Sequence, residues 1–117
     1  MTYMNDILSN PPLREPTFLI LLSLSPGPRH GYAILKEVDS LSEGRVKLST
    51  GTLYGAIERL LDQGWIRLVD DPIPNVTNRK RKAYDITELG RKALNAEIAR
   101  LRKLVSVAAS QTAEESS

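Results

Sequence analysis

The 117-residue sequence has no cysteine and a single histidine, His30. The first absence excludes disulfide staples, thiolate chemistry and cysteine-based zinc sites, and it suits a reducing cytoplasm. The second excludes a histidine-rich metal site or a mechanism built on paired imidazoles. Long apolar runs are missing too: the longest, Phe18 to Leu22, is five residues, where a membrane span needs about 20. Asp6 precedes the first basic residue, Arg14, so a signal peptide is not expected. A Gly-rich phosphate loop after a strand is lacking, and one histidine among prolines builds no Ser-His-acid set. Glu58 and Asp62 share a helical face, but without further ligands they do not make a specific metal site. Catalysis, cofactors and metals are therefore not expected.

What is present is an uneven charge. The net charge is only +2. Residues 1–78 carry seven basic against nine acidic side chains, whereas residues 79–103 carry nine against three. A basic segment on a near-neutral chain points to an anionic polymer as partner; a solvated, charged helix face is the plainer alternative. With 41% hydrophobic and 26% charged residues, the chain reads as one globular domain rather than a disordered one.

Patterning orders the elements. Residues 1–12 read as a flexible N-terminal arm. Pro16 followed by Thr17-Phe18-Leu19-Ile20-Leu21-Leu22-Ser23-Leu24 reads as a buried helix, because proline is tolerated in a first turn and the run is apolar nearly all round; a buried strand competes. Ser25-Pro26-Gly27-Pro28 stops it. Ile34, Leu35, Val38 and Leu41 mark one face of a second helix, with His30-Gly31-Tyr32 in its first turn. Leu53, Ala56, Ile57, Leu60 and Leu61 mark a third, capped by Ser49 and ended by Gly64. Its opposite face carries Gly51, Thr52, Gly55, Glu58 and Arg59, with Tyr54 on the flank. Two glycines there cost a helix roughly 1 kcal/mol each, which suggests that something approaches the backbone closely. Trp65 to Val69 and Arg79 to Ile86 read as two strands of a hairpin with a basic returning arm, joined by a loop rich in proline and asparagine. Thr87 caps a last helix, in which Leu94, Ile98, Leu101, Val105 and Ala108 form a heptad seam. That seam is too long for the small body to cover, so part of it should meet another chain; packing on its own domain is the alternative.

The fold class is thus mainly α with a small β-hairpin: a winged helix-turn-helix over residues 13–87, a C-terminal dimerisation helix over 88–109, and a disordered tail over 110–117. In such a fold the third helix enters the major groove and the wing follows the backbone or minor groove.

Four stretches carry a resemblance. Gly31-Tyr32, Ser49-Thr50-Gly51-Thr52-Leu53-Tyr54, Leu60-Leu61-Asp62-Gln63-Gly64-Trp65-Ile66 and Arg81-Lys82-Ala83-Tyr84-Asp85-Ile86-Thr87-Glu88-Leu89-Gly90 resemble the PadR family of bacterial transcriptional regulators, over about residues 13–105. The resemblance implies a homodimeric winged-helix repressor on a pseudo-palindromic operator of double-stranded DNA. The single closing helix resembles the short-tailed subfamily, in which that helix dimerises with the N-terminal helix. Some of those members bind flat drugs against a tryptophan of the closing helix; here no aromatic residue follows Tyr84, so a pocket of that type is not implied.

The candidate DNA-binding residues are Lys47, Ser49, Thr50, Thr52, Tyr54, Arg59, Arg79, Lys80, Arg81 and Lys82. The hydroxyls of Thr50 and Thr52 suit phosphate or a base edge at a helix N-terminus; local capping is their plainer role. Tyr54 resembles the family tyrosine that reaches the DNA backbone, against packing on the wing. Arg59 suits phosphate or guanine, against a surface pair with Glu58 or Asp62. Alternation lets about half of the wing cluster face a duplex. Trp65 reads as core or dimer packing. The expected function is a cytoplasmic DNA-binding regulator, a dimeric repressor released by a small-molecule effector; the alternative is a winged-helix module that binds protein or ligand and has lost DNA binding.

Overall fold

The computed structural model describes residues 12–70 and 82–116. The expected arm, apart from Pro12, lies outside the described residues, as do Arg79, Lys80 and Arg81 of the wing cluster. Helix α1 (Glu15–Leu24) has proline in its first turn and buries Leu19, Ile20, Leu21, Ser23 and Leu24. It is a helix, not the competing strand. The Ser23 hydroxyl donates to the Ile20 carbonyl at 2.6 Å, so the one polar side chain buried on this helix is satisfied.

Beyond α1 the chain departs from expectation. Arg29–His30 form a short strand, β1, and His30 is the N-cap of α2 (Gly31–Leu41) rather than part of its first turn. Ile34 and Val38 are buried, but Leu41, expected on the same core face, is exposed in the last turn. Helix α3 (Thr50–Asp62) buries Leu53, Ala56, Ile57 and Leu60. Its end is a Schellman motif: Gly64 N–H bonds Leu61 O and Trp65 N–H bonds Leu60 O, both at 3.0 Å, with Gly64 at φ +76°, a conformation glycine adopts without a Cβ clash.

Strands β2 (Ile66–Asp70) and β3 (Lys82–Ile86) pair antiparallel, with Ile66 opposite Ile86 and Asp70 opposite Lys82. β1 pairs antiparallel with the other edge of β3, giving the order β1-β3-β2. The hairpin is therefore anchored as a three-stranded sheet, which a lone two-stranded ribbon in water would need for stability. Ile66, Tyr84 and Ile86 join Ile20, Leu21, Leu24, Ile34, Leu53, Ile57, Leu60 and Leu94 in one core.

Helix α4 (Glu88–Ser116) closes the fold. It runs past Ala109, so the tail expected to be disordered from residue 110 continues the helix instead. No glycine or proline follows Gly90 to stop it, and at residue 112 the Thr112 hydroxyl bonds the Ala108 carbonyl at 2.9 Å. Of the heptad seam, Leu94 is buried, Ile98 packs on the core and Leu101 is half-buried, while Val105 and Ala108 are exposed.

Candidate nucleic-acid interface

The N-terminus of α3 is built from Ser49. Its hydroxyl oxygen accepts from Thr52 N–H at 3.1 Å and its proton goes to Thr52 Oγ1 at 2.9 Å. Ser49 is thus spent on capping, whereas the Thr52 hydroxyl keeps its own proton to donate outward. Thr50 is exposed, and among the described residues its hydroxyl has no partner. These groups stand at the positive end of the helix, where phosphate is favoured. Nothing lies within 4 Å of the place a Cβ on Gly51 would take, and at Gly55 only Arg59 Nη1 does, at 3.8 Å. The outer face of α3 is therefore a bare backbone surface flanked by hydroxyls.

The cations are distributed less evenly than the sequence suggests. Lys47 is exposed but its ammonium lies 3.2 and 3.3 Å from the Asp39 carboxylate. Arg59 makes no ion pair among the described residues, neither with Glu58 nor with Asp62, and its side chain borders a groove beside the helix. Lys82 is exposed at the root of the wing. Tyr54 is half-exposed, but its hydroxyl rests on the backbone of Gly31: a Cβ there would collide with it and stand 2.9 Å from Cζ. Tyr54 thereby joins α3 to the start of α2, and burial pushes the neighbouring Tyr84 hydroxyl up, with Tyr54 adding to the shift.

Two further residues bear on this face. His30, which the sequence allows as a DNA-backbone contact or as a surface or capping residue, stands at the N-cap of α2 with its Nδ1 3.1 Å from the Lys82 carbonyl, tying the wing root to the start of α2. Tyr32 is exposed, with the Lys36 ammonium 5.6 Å over its ring, a pair visible as an i, i+4 spacing on a helix.

A groove of about 780 Å³ runs between α3, the chain before α1 and the inner face of α4, walled by Leu13, Arg59, Trp65, Ala96, Arg100 and Leu104 among others. Trp65 is half-buried, packed on the core and open to this groove. On the groove's wall the Glu97 carboxylate is buried and receives Arg100 at 2.9 and 2.5 Å. The Arg100 hydrogen bonds hold its pKa below the ordinary carboxylate value against the opposing effect of burial, aided by the Leu13 backbone N–H. No group of acidic residues or histidine among the described residues is arranged to hold a metal ion, and no described helix is long and apolar enough to cross a membrane.

Three helices, a small sheet with a wing and an open third helix define a winged helix-turn-helix. The model of the transcriptional regulator PadR-like family matches residues 20–96, and the chain belongs to that family, one of regulators and not of enzymes. A PadR family transcriptional regulator from Eggerthella lenta shares 28% identity, with 83% of each chain covered and a TM-score of 0.60. Bacillus subtilis PadR in complex with operator DNA has the same fold at 23% identity and TM-score 0.60, covering 70% of this chain and 45% of that one. A 37.1 kDa protein in a transposon of Streptomyces fradiae is 31% identical over 86 residues, which span 74% of this chain and 23% of that protein. The chain thus spans about a quarter of that relative's length and under half of the Bacillus protein's.

Proposed function

We propose that the chain is a cytoplasmic, homodimeric repressor that binds a pseudo-palindromic operator through α3 and the wing. The observation that carries this reading is the outer face of α3, where Gly51 and Gly55 leave the backbone uncovered beside the outward hydroxyls of Thr50 and Thr52. A surface of that kind costs helix stability and is suited to close approach by a groove floor or a phosphate. Lys82, together with Arg79, Lys80 and Arg81, supplies phosphate contacts, and Arg59 a further one. Lys47 contributes less, because Asp39 already neutralises it. The Bacillus relative that holds operator DNA shares this fold, which supports the same docking here. Two such heads present their reading helices to successive major grooves about 34 Å apart. The groove that reaches both Arg59 and α4 is where a small effector touches the reading helix and the closing helix together, and release follows from altering the angle between heads.

Fluorescence anisotropy on a labelled duplex from upstream of the gene, with a scrambled duplex as control, tests the reading at about 50 and 200 mM salt. The upstream duplex is expected to bind about tenfold tighter or better, with both affinities falling as salt rises. Replacing Lys80 and Lys82 with alanine is expected to weaken both duplexes alike and to lower the salt slope by about 2, one for each lost phosphate contact. An unchanged slope takes the wing out of the interface. Absence of binding at the lower salt leaves a protein- or ligand-binding module as the better account.

A further inference from the structure

The end of α3 and the start of α4 are joined at one residue. The Thr87 hydroxyl donates to the Gly64 carbonyl at 2.6 Å and accepts from Gly90 N–H at 3.0 Å. Its backbone N–H donates to the Trp65 carbonyl at 3.0 Å. Gly64 and Trp65 are the two residues whose N–H groups terminate α3, so their carbonyls are held by the end of the reading helix. Gly90 completes the contact. A Cβ on it would collide with the Trp65 carbonyl and come within 2.9 Å of Ile86 Cγ1, so the first turn of α4 sits directly against the exit from α3. Capping alone requires only an acceptor for Gly90. The bond from the hydroxyl to Gly64 is additional, and it crosses between the two helices.

We propose that Thr87 is a positioning residue that fixes the angle between the reading helix and the closing helix. The functional consequence rests on the dimeric, DNA-binding reading above: if α4 joins two heads, this angle sets the separation of the two α3 helices and hence the half-site spacing the dimer accepts. At this joint Gly90 meets the Trp65 carbonyl directly, so a rotation of α4 bears on the exit from α3.

Two substitutions separate the joint from the cap. Thr87→Asp keeps a good N-cap acceptor for Gly90 but has no proton for the Gly64 carbonyl. Thr87→Ser keeps both bonds. Because the chain has no cysteine, Glu58→Cys on α3 and Arg102→Cys on α4, both exposed, take spin labels at two sites only. Pulsed electron–electron distances are then read within single labelled chains diluted in unlabelled protein, with helix content checked by circular dichroism. Thr87→Asp is expected to broaden or shift the distance distribution at unchanged helix content, and Thr87→Ser to reproduce the wild type. An unaltered distribution in Thr87→Asp overturns the proposal, as does an equal broadening in Thr87→Ser. Selection from a randomised duplex pool then reads the consequence. The preference for one half-site spacing over its neighbours is expected to fall about fivefold in Thr87→Asp, the order of one lost hydrogen bond, and to persist in Thr87→Ser. A uniform loss of affinity at unaltered spacing overturns the link to the operator. If the wild type selects no DNA, the DNA-binding reading fails, and the label distances decide the joint by themselves.

Discussion

Glu97 lies on the inner face of the closing helix, buried, and still ionised by virtue of its neighbours. The Arg100 hydrogen bonds and the Leu13 N–H favour the carboxylate more than burial disfavours it, so its pKa in the folded chain is below the ordinary 4.5. A depressed carboxylate contributes stability that is complete above the unfolded value and is lost as pH falls through the folded one. Wild type is therefore expected to exceed Glu97→Gln in Tm at neutral pH, and the gap to close as pH drops below about 4.5. Thermal unfolding of both proteins between about pH 6 and 3 checks this; a gap that stays constant would make the residue's role one of packing. Tyr54 shows the opposite relation of residue to neighbour. Its hydroxyl lies where only a glycine, Gly31, leaves room, which makes the glycine and the tyrosine one feature shared by two helices.

At the scale of elements, α3 is stabilised on one face and deliberately uncovered on the other. Gly55 is in mid-helix, has no positive φ, and has space for a methyl group next to Arg59. Gly55→Ala is therefore expected to stabilise the fold by about 1 kcal/mol, raising Tm by a few degrees. Its affinity for the upstream duplex is expected to drop about tenfold, the order of one charge-assisted hydrogen bond held off by the added methyl. Melting and anisotropy on the same preparation check the two signs; a gain in both would show that nothing approaches this backbone. How far such elements can be read in advance depends on their period. α2 and α3 carry the 3.6 period, α1 an apolar run closed by Ser25-Pro26-Gly27-Pro28, and α4 a seam with no stop, which is why its end lies past the expected one. Ser49, Gly64 and Thr87 act at the caps their types suggest. β1 has no period at all in two residues, and it exists because β3, more than 50 residues later, offers an edge. The Lys47–Asp39 pair and the bond from Thr87 to Gly64 span turns between elements, where no helical or strand spacing announces a contact. The groove is less legible still, since it is the space left between α3 and α4, and no local pattern encodes it.

The molecule as a whole is longer than its size requires. A compact chain of this length has a radius of gyration near 13 Å, against 17.1 Å here, with extents of 61 × 37 × 23 Å. The excess comes from α4, whose 29 residues make a rod about 43 Å long. Its first half is covered by the head through Leu94 and Ile98, while further out Val105 and Ala108 of the same seam stand exposed, Val105 at 68%. An apolar row projecting into water on a rigid rod is what a second helix would cover. Val105→Asp tests this without disturbing the head, because Val105 contributes nothing to the buried core of its own chain. The variant is expected to keep the wild-type helix content and melting of an isolated head, yet to sediment as a monomer where the wild type sediments as a dimer. With one head instead of two, the second half-site is no longer bound intramolecularly, and operator affinity is expected to fall by about a hundredfold or more. A Val105→Asp protein that still sediments as a dimer would place the interface elsewhere on the chain. If the wild type itself is monomeric, the spacing of two reading helices along one duplex cannot be what the closing helix sets.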